Sequence, residues 1–364
     1  MANTASAHSV DIFVSGKEIP DDHLMAYTVE RDVFQPDMAS IILTNQSDIY
    51  SKTKLGDAIE IKVGGGARNS EDGGNTSVES IFQGEVVGLE PTYSGKDKTK
   101  ILIRALSKMH RLLRKRKSLT YTDKSDEQIF QQVAGDAGLS LKWKRDASIT
   151  YKHVYQHNQT DLEFLRTRAA RIGYHLFCEG SDLHAEPPQL DVDSGLEASI
   201  DKQGGLVLLS FTPRLSSAPI VKKVTVKGWN PETKELIVGE ASVASSRLGS
   251  RTGHASSSAF GDNETFTVDH PIWSKEEANA LAKARLSDLS LAFMTGEATC
   301  KGDAKLKPGI VVKITPNSMD TSDPFNGKYY VMGVTHRYAG AHSHGGDDGF
   351  VSILRLARDA AGGQ

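Results

Sequence analysis

One cluster of side chains in this sequence has the composition of a metal site. His342 and His344 are followed closely by Asp347 and Asp348, and imidazole and carboxylate groups are both common metal ligands. The glycines around them, however, predict a hairpin loop, which is a poor scaffold for a prearranged site. We therefore predict no resident metal here, although whether these four residues bind an ion stays open.

The remaining histidines and the two cysteines give no better candidate. His153 and His157 are predicted to share one face of an extended segment with Tyr155, but the sequence supplies no third ligand. Neither Cys178 nor Cys300 has a cysteine or histidine at metal-binding spacing. We predict that both are buried, reduced thiols of a protein made in the cytosol.

Catalytic motifs are equally scarce. No serine stands in a Gly-x-Ser-x-Gly turn, and no glycine-rich segment continues into the Lys-Ser/Thr of a phosphate-binding loop. A pair of carboxylates suited to glycoside hydrolysis cannot be recognised from sequence, because it is defined by a separation in space. We predict no catalytic and no cofactor-binding residue.

Composition describes an ordinary globular chain of two or three domains. The 364 residues are 38% hydrophobic and 24% charged, with a formal charge of −3. This balance gives no reason to expect specific nucleic-acid binding. Residues 1–10 contain no apolar signal segment, and no run of about 18 apolar residues could span a bilayer. We therefore expect cytoplasmic synthesis without a signal peptide and no membrane insertion.

The order of predicted elements divides the chain into three parts. Residues 1–107 read as a first β-barrel domain of about six strands, and residues 108–200 as an α+β insert with two helices. Residues 201–364 read as a second β-barrel domain that contains a helix over 274–289. Within it, the Ser/Gly-rich stretch 241–259 lacks periodicity and predicts a long loop.

Capping patterns predict where the helices begin, and charge patterns predict which basic side chains face the solvent. Three Ser/Thr-x-x-Gln/Glu capping boxes are predicted, at Ser125 and Gln128, Thr160 and Glu163, and Ser274 and Glu277. Arginines off the apolar stripe of the second helix are expected to be solvated or interfacial: Arg166, Arg168 and Arg171. The basic run His110–Lys117 predicts a solvated connector or, alternatively, a contact with an acidic neighbour or nucleic acid.

An internal repeat is the strongest organising feature. Lys54–Leu106 and Leu306–Leu356 each contain a strand after a glycine turn, an aromatic-x-Gly strand, a Tyr-bearing end and a closing strand. The aromatic-x-Gly parts are Phe82-Gln83-Gly84 and Phe325-Asn326-Gly327. The predicted fold class is accordingly β-rich α+β, with two similar β-barrel-like domains around an α+β insert.

Two segments resemble a known family. Tyr155–Leu165, with Gly173 and Phe177, is similar to the Tyr-x-Gln-x-x-x-Thr-Asp-x-x-Phe-Leu signature of the phage late control protein D family. Gly327–Val331, with His336, resembles that family's closing segment. These are tail hub proteins, which also form the N-terminal part of the valine-glycine repeat spike proteins of type VI secretion. The resemblance extends from Asp11 to about Arg358.

The resemblance implies a structural role. It predicts a trimer with pseudo-sixfold symmetry, in which two similar bodies per chain match a hexameric tail tube. The expected partners are two further copies of the chain, the tail tube protein, a separate spike protein and other baseplate components. The family's secretion members continue into an oligosaccharide-binding-type barrel and a needle. None is visible here, so the spike tip is expected on another polypeptide.

Two other functions remain as alternatives. One is a peptidoglycan-degrading enzyme associated with a tail, and the other is a module that binds a glycan or a receptor. Exposed aromatic clusters would favour the second, but Trp143, Trp229 and Trp273 are scattered along the chain. The sequence also leaves open whether the particle is a phage tail, a phage-like bacteriocin, an extracellular injection system or a secretion machine.

Overall fold

The structure is a computed structural model that describes most of the chain. The described ranges are 9–44, 49–64, 78–94, 99–144, 149–200, 205–230, 232–243, 245–256, 264–267, 272–340 and 349–362. The cluster of His342, His344, Asp347 and Asp348 lies outside them. Within these ranges no helix has both the length and the apolar character needed to cross a bilayer.

The first β body is an open barrel. Its strands are β1 (Val10–Val14), β2 (Lys17–Glu18), β3 (Leu24–Asp32), β4 (Met38–Thr44), β5 (Ala58–Gly64), β6 (Val78–Thr92) and β7 (Lys100–Leu106). Six of them follow the order β1-β5-β6-β7-β4-β3, with every neighbouring pair antiparallel. In β7, Ile101, Ile103 and Ala105 are buried, and Arg104, which lies between the last two, is exposed, as strand alternation requires. All six strands contribute to one apolar core, but β1 and β3 form no ladder with each other in the described residues.

The α+β insert follows. Its elements are β8 (Arg116–Ser125), α1 (Asp126–Asp136), β9 (Ser140–Trp143), β10 (Thr150–Thr160), α2 (Asp161–Arg171), β11 (His175–Glu179) and β12 (Asp182–Glu186). Both helices begin with complete capping boxes, at Ser125 with Gln128 and at Thr160 with Glu163, which confirms these two predictions. The apolar faces of α1 and α2 pack into a core separate from those of the β bodies.

The second β body is a closed barrel with its own additions. Its elements are β13 (Asp193–Ser199), β14 (Leu206–Leu215), β15 (Lys223–Asn230), β16 (Glu235–Ser242), β17 (Arg251–Thr252), α3 (Gly253–Ser256), β18 (Glu264–Thr267), α4 (Lys275–Leu291), β19 (Met294–Lys301), β20 (Val311–Thr315), β21 (Gly327–Ala339), β22 (Gly349–Arg358) and β23 (Ala360–Ala361). Six strands form a ring in the order β13-β20-β21-β22-β19-β14. The fold is therefore β-rich α+β, with two similar β bodies and an insert between them.

The predicted duplication is visible in the order and direction of the strands. The series β5-β6-β7-β4-β3 and the series β20-β21-β22-β19-β14 have the same chain order, the same neighbours and antiparallel pairing throughout. The sixth strand differs. β1 is antiparallel to β5, whereas β13 runs parallel to both β20 and β14 and closes the ring. The repeat is thus a five-strand unit, longer than the three strands that its sequence pattern marks.

Two β-bulges of the first body have counterparts at equivalent places in the second body. The ladder of β6 with β7 shifts just before Gly88, and that of β21 with β22 shifts just before Gly333. The ladder of β3 with β4 shifts just after Leu24, and that of β14 with β19 just after Leu208. A bulge inserts one residue and bends its strand. Because it occupies one fixed point in a ladder, each matched bulge identifies equivalent residues in the two bodies.

The glycine turns before β5 and β20 are also equivalent, in both backbone conformation and hydrogen bonding. Gly56 and Gly309 have φ angles of +90° and +87°, a region that favours glycine. The amide of Gly56 donates to the carbonyl of Val86 at 2.8 Å, and the amide of Gly309 donates to the carbonyl of Val331 at 2.9 Å. Each turn is therefore hydrogen-bonded to the strand that carries the bulge, at the residue two positions before Gly88 or Gly333.

The residue-level alignment of the repeat differs from the predicted one. Since Gly88 is equivalent to Gly333, Gly84 is equivalent to Tyr329. The prediction that paired Phe82-Gln83-Gly84 with Phe325-Asn326-Gly327 is therefore wrong by two residues. Side chains in a strand alternate with a period of two, so a shift by two preserves the inward and outward pattern. That pattern alone could not distinguish the two alignments.

An insertion between β14 and β19 distinguishes the second body. Strands β16, β15 and β18 form a small sheet against which α4 packs. The described part of the segment 241–259, which was predicted as a loop, is more ordered than expected: it comprises residues 241–243 and 245–256. Leu248 is fully buried, and Arg251–Thr252 pairs with Ala360–Ala361. Serine and glycine are compatible with close backbone approach, so the absence of periodicity did not mean absence of packing.

Two predictions about basic residues hold only in part: residues 113–116 of the basic run are exposed, as in a solvated connector, and so is Arg166. The run His110–Lys117 begins in a 3-10 helix that buries His110. The Arg111 guanidinium donates hydrogen bonds to both carboxylate oxygens of Glu85. Arg168 is buried rather than solvated, and its Nε donates to Asp126 Oδ1 at 2.6 Å. Both arginines meet acidic partners that are far away in the sequence, which helical periodicity cannot reveal.

The third capping box is only half formed. Ser274 accepts the amide of Glu277 at 3.1 Å, as predicted. The Glu277 carboxylate does not return to the Ser274 amide; it accepts the Trp273 amide at 3.0 Å and the Arg171 guanidinium at 2.7 Å. This last bond connects α2 of the insert to α4 of the second body.

Candidate assembly interface

Among the described residues, the two histidines considered as metal ligands, His153 and His157, lie apart from any metal-binding group. His153, Tyr155 and His157 are all exposed on β10, and the Tyr155 and His157 rings are 5.4 Å apart. Within the described residues no group of three His, Cys, Asp or Glu side chains could hold a metal ion. These rings belong to a solvent-facing strand surface.

Both cysteines are free and buried, as predicted. The Cys178 thiol contacts the Gly180 carbonyl at 3.5 Å. Burial raises the pKa of Cys178 to about 12, and it raises the pKa of Cys300 to about 12 as well. Since the thiolate is the reactive form, neither sulfur has the environment of a nucleophile.

His336 is a buried histidine whose role the sequence did not show. Its Nε2–H donates to the Leu306 carbonyl at 3.1 Å, so Nδ1 accepts the Ser352 hydroxyl at 2.9 Å. Burial lowers the pKa of His336 to about 3, so the ring is neutral at physiological pH. The ring connects β21, β22 and the turn before β20 inside the protein, which is a structural position.

The junction of the two β bodies is the feature with clear functional geometry. β3 of the first body pairs antiparallel with β21 of the second, from Asp32 opposite Gly333 to Ala26 opposite Ala339. The junction is therefore one continuous backbone ladder. Through it, the open first body and the closed second body become parts of a single 13-stranded sheet.

Side chains reinforce this junction on both faces. On the core face Tyr27 stacks on Tyr338, with ring centroids 5.5 Å apart. Burial raises the pKa of the Tyr27 hydroxyl well above its ordinary value. On the opposite face Arg355 of β22 reaches over Gly333 of β21 and forms an ion pair with Asp32 of β3. Aromatic and charged cross-strand pairs of this kind stabilise a sheet and fix its register.

An ion-pair network connects the junction to the insert. Arg31 Nε lies 3.2 Å from Asp37 Oδ2, and the Arg31 guanidinium lies 3.6 Å from Glu179. Glu179 also accepts Lys307 Nζ at 3.1 Å. Burial raises the pKa of Asp37 to about 6, although Arg31 acts in the opposite direction. Each of the three parts of the chain contributes to this network, so they are held in a fixed arrangement.

The duplication leaves a stretch of free edge, within the described residues, on the counterpart of each junction strand. β14 is the equivalent of β3, and β6 is the equivalent of β21. β14 pairs with β13 only at Leu206 and Val207, and residues 208–215 have no strand on that side in the part of the chain that the structure describes. β6 likewise has none beside 88–92 within the described residues, because β5 ends its ladder at Glu85.

These two free edges expose apolar side chains. Leu209 and Leu215 of β14 are 50% and 46% exposed, and Tyr93, just after β6, is 76% exposed. Each edge also contains a proline, Pro91 in β6 and Pro213 in β14. Proline within a sheet is confined to edges and bulges because it cannot donate to a ladder. That residue type is the one sequence signal that could have located both edges.

Comparison with known proteins gives the family. The family described as "Alg8 N-terminal domain" has a model that matches residues 4–340, which is most of the sequence. The chain belongs to the Alg8 N-terminal domain family. No curated protein matches it in sequence.

Several solved structures share the fold of this family member. A 43 kDa tail protein of prophage MuSo2 from Shewanella oneidensis is 14% identical, with a TM-score of 0.68, over 98% of this chain and 100% of that one. A tail protein from Neisseria meningitidis MC58 is 13% identical, with a TM-score of 0.68, over 97% and 96%. The E. coli c3393 protein, a component of the type VI secretion system, is 13% identical, with a TM-score of 0.60, over 95% and 76%. The chain therefore has a fold found in phage tail proteins and in a secretion-system component.

Proposed function

We propose that the chain is a structural hub of a contractile tail or phage-like injection apparatus. Three copies form a ring with pseudo-sixfold symmetry, which joins a hexameric tail tube to a separate trimeric spike. Other baseplate components contact the insert. The chain has no reaction of its own and acts by holding these parts in register.

The observation that carries this proposal is the edge-to-edge junction of two equivalent bodies. Within the chain, one body docks on the other through the β3–β21 ladder. The free edges belong to the equivalent strands, β14 for β3 and β6 for β21. Three chains with two such bodies each provide six similar units. An oligomer otherwise meets a partner of different symmetry only through unequal contacts.

Two further observations support the same role. The fold is shared with phage tail proteins and with a component of type VI secretion. The segments Tyr155–Leu165 and Gly327–Val331 resemble those of the phage late control protein D family of tail hubs. The first segment spans the end of β10 and the start of α2, and the second begins β21.

The oligomeric mass tests the proposal. Light scattering on the purified protein should give three times the mass of the 39.5 kDa chain, and negatively stained particles should be rings with a central opening. An obligate contact of this kind is expected to bury about 2,000 Å² or more. A single-chain mass up to the solubility limit, even with the spike protein added, would refute the hub.

A cell-wall assay tests the absence of a reaction. The purified trimer should leave the turbidity of a peptidoglycan suspension unchanged over the time in which lysozyme clears it. Clearing that is lost on substitution of an acidic loop residue would replace the structural proposal with an enzymatic one.

A further inference from the structure

We propose that the edge of β14 in one chain pairs with the edge of β6 in a second copy, in one specific antiparallel register. Thr212 lies opposite Thr92, and Arg214 lies opposite Glu90. This inference rests on the proposed trimer and names the contact that forms it. The ladder is an intermolecular repeat of the β3–β21 junction inside each chain.

The register follows from the matched bulges. Gly88 of β6 is equivalent to Gly333 of β21, since each follows the same bulge. The second bulge makes Leu208 of β14 equivalent to Leu24 of β3. In the internal junction Thr28 of β3 pairs with Arg337 of β21. Their equivalents, counted from the bulges, are residues 212 and 92. The complete set of transferred rungs is Ser216–Gly88, Leu215–Leu89, Arg214–Glu90, Pro213–Pro91, Thr212–Thr92, Phe211–Tyr93 and Ser210–Ser94.

The side chains brought together by this register are complementary. Phe211 meets Tyr93 at the position where Tyr27 stacks on Tyr338 in the internal junction. Leu215, which is 46% exposed, meets the partly buried Leu89. These two rungs lie on the core face of the sheet, where burying them removes apolar surface from water.

The opposite face brings unlike charges together. Glu90 is exposed and already forms an ion pair with Arg104 of its own chain, at 2.6 Å. The proposed register adds Arg214 of a second chain on the neighbouring strand. Opposite charges directly across a ladder stabilise it, and like charges destabilise it. The charges therefore favour contact between β6 and β14 over contact between two β14 edges.

The two prolines are compatible with this register. In the internal junction the Gly340 amide donates to the Met25 carbonyl, and the Val33 amide donates to the Met332 carbonyl. Even-numbered residues of β21 therefore direct their amides toward β3. Pro91 and Pro213 occupy the equivalent outward positions, where each lacks a donor. Opposite each other they confine the two missing hydrogen bonds to one rung, whereas a shift by two residues would leave two rungs each short of one bond.

Closure of a ring follows from the polarity of this contact. Each chain offers one β6 edge and one β14 edge, so the contact is heterologous and leads from one copy to the next. Internal and intermolecular junctions then alternate around the ring, and three chains give six. A heterologous contact of this kind closes when its rotation divides a full turn.

Paired cysteines test the register directly. Thr92 and Thr212 would lie at a rung without mutual hydrogen bonds, where Cα atoms are about 4.5 Å apart, within reach of a disulfide. Oxidation of the Thr92→Cys, Thr212→Cys variant should give covalent dimers and trimers on a non-reducing gel. The native Cys178 and Cys300 are buried and serve as constant background.

Two matched variants control the experiment. Thr28→Cys with Arg337→Cys places the same pair in the internal junction, so it should form a disulfide within one chain without raising its mass on the gel. Thr92→Cys with Ser210→Cys is displaced by two residues, so it should cross-link far less. A trimer by light scattering that cross-links equally in the displaced variant, or not at all in the matched one, would overturn the register. Absence of the trimer in the unsubstituted protein would instead refute the proposed hub.

A charge exchange gives an independent readout. Glu90→Arg alone and Arg214→Glu alone should each weaken the trimer, and the double variant should recover it. The trimer–monomer equilibrium followed by sedimentation at several salt concentrations measures this. Single variants that assemble as well as the unsubstituted chain, or a double variant weaker than both, would contradict the pairing of these residues.

Discussion

The twin turns at Gly56 and Gly309 allow the duplication to be tested by matched substitutions. Their φ angles are +90° and +87°. A Cβ added at Gly56 would meet no atom within 4 Å, and one added at Gly309 would meet Tyr330 Oη at 3.9 Å, an ordinary contact. The cost of alanine is therefore backbone strain alone, about 1–2 kcal/mol at either turn.

We expect Gly56→Ala and Gly309→Ala to lower the free energy of unfolding by similar amounts. The double variant should lose the sum, because the turns lie in different bodies and share no contact partners. Urea unfolding measures this, with an unchanged slope against urea concentration indicating that only stability has changed. Gly135→Ala in α1 is the control. It adds a side chain in open space at a helical position, so it should stabilise by about 0.5–1 kcal/mol.

Backbone strain and a steric clash should differ in their cost to stability. A Cβ at Gly302 would come within 2.0 Å of the Phe350 ring, so Gly302→Ala should cost more than either turn substitution. A loss at Gly56 with none at Gly309, or the reverse, would refute the equivalence of the two turns. Losses at both that exceed the Gly302→Ala loss would show that strain is not their cause.

Three further predictions concern buried polar groups. Arg168→Met should lower the free energy of unfolding by about 3–5 kcal/mol in urea, because Asp126 stays buried without its partner, and adding Asp126→Asn should recover much of it. Burial raises the pKa of Asp37 to about 6, so its ionisation opposes folding as the pH rises from about 4 to 6. Asp37→Asn should therefore gain about 2 kcal/mol relative to the unsubstituted protein between pH 4 and pH 7; a constant difference in urea midpoints would contradict this. Cys178 should react with a thiol reagent at pH 8 only after unfolding, and rapid reaction of the native protein would show that its sulfur is accessible.

The local elements were largely predictable because their signals are local. The boxes at Ser125 and Thr160 join residues three apart, so a short stretch of sequence contains both partners. The alternation in β7 and the glycine turns likewise depend on neighbouring residues. The duplication was recognisable for the same reason, since each copy repeats its own local signals in order.

Long-range partnerships were not predictable. Arg168 is buried because Asp126 lies beside it in space, 42 residues away in the chain. The alignment of the repeat was wrong by two residues because alternation is unchanged by such a shift. The bulges before Gly88 and Gly333, which correct it, are defined only by the opposing strand.

The sequence by itself determined many of the strands, the starts of the three capped helices, the glycine turns and the presence of two similar bodies. Only the tertiary structure decided which strands are neighbours, that β13 closes one body while the other stays open, and that β3 docks on β21. Strand pairing is made by backbone groups that every residue carries, so side-chain patterns constrain it weakly. The free edges at Pro91 and Pro213 become visible only once all other pairings are known.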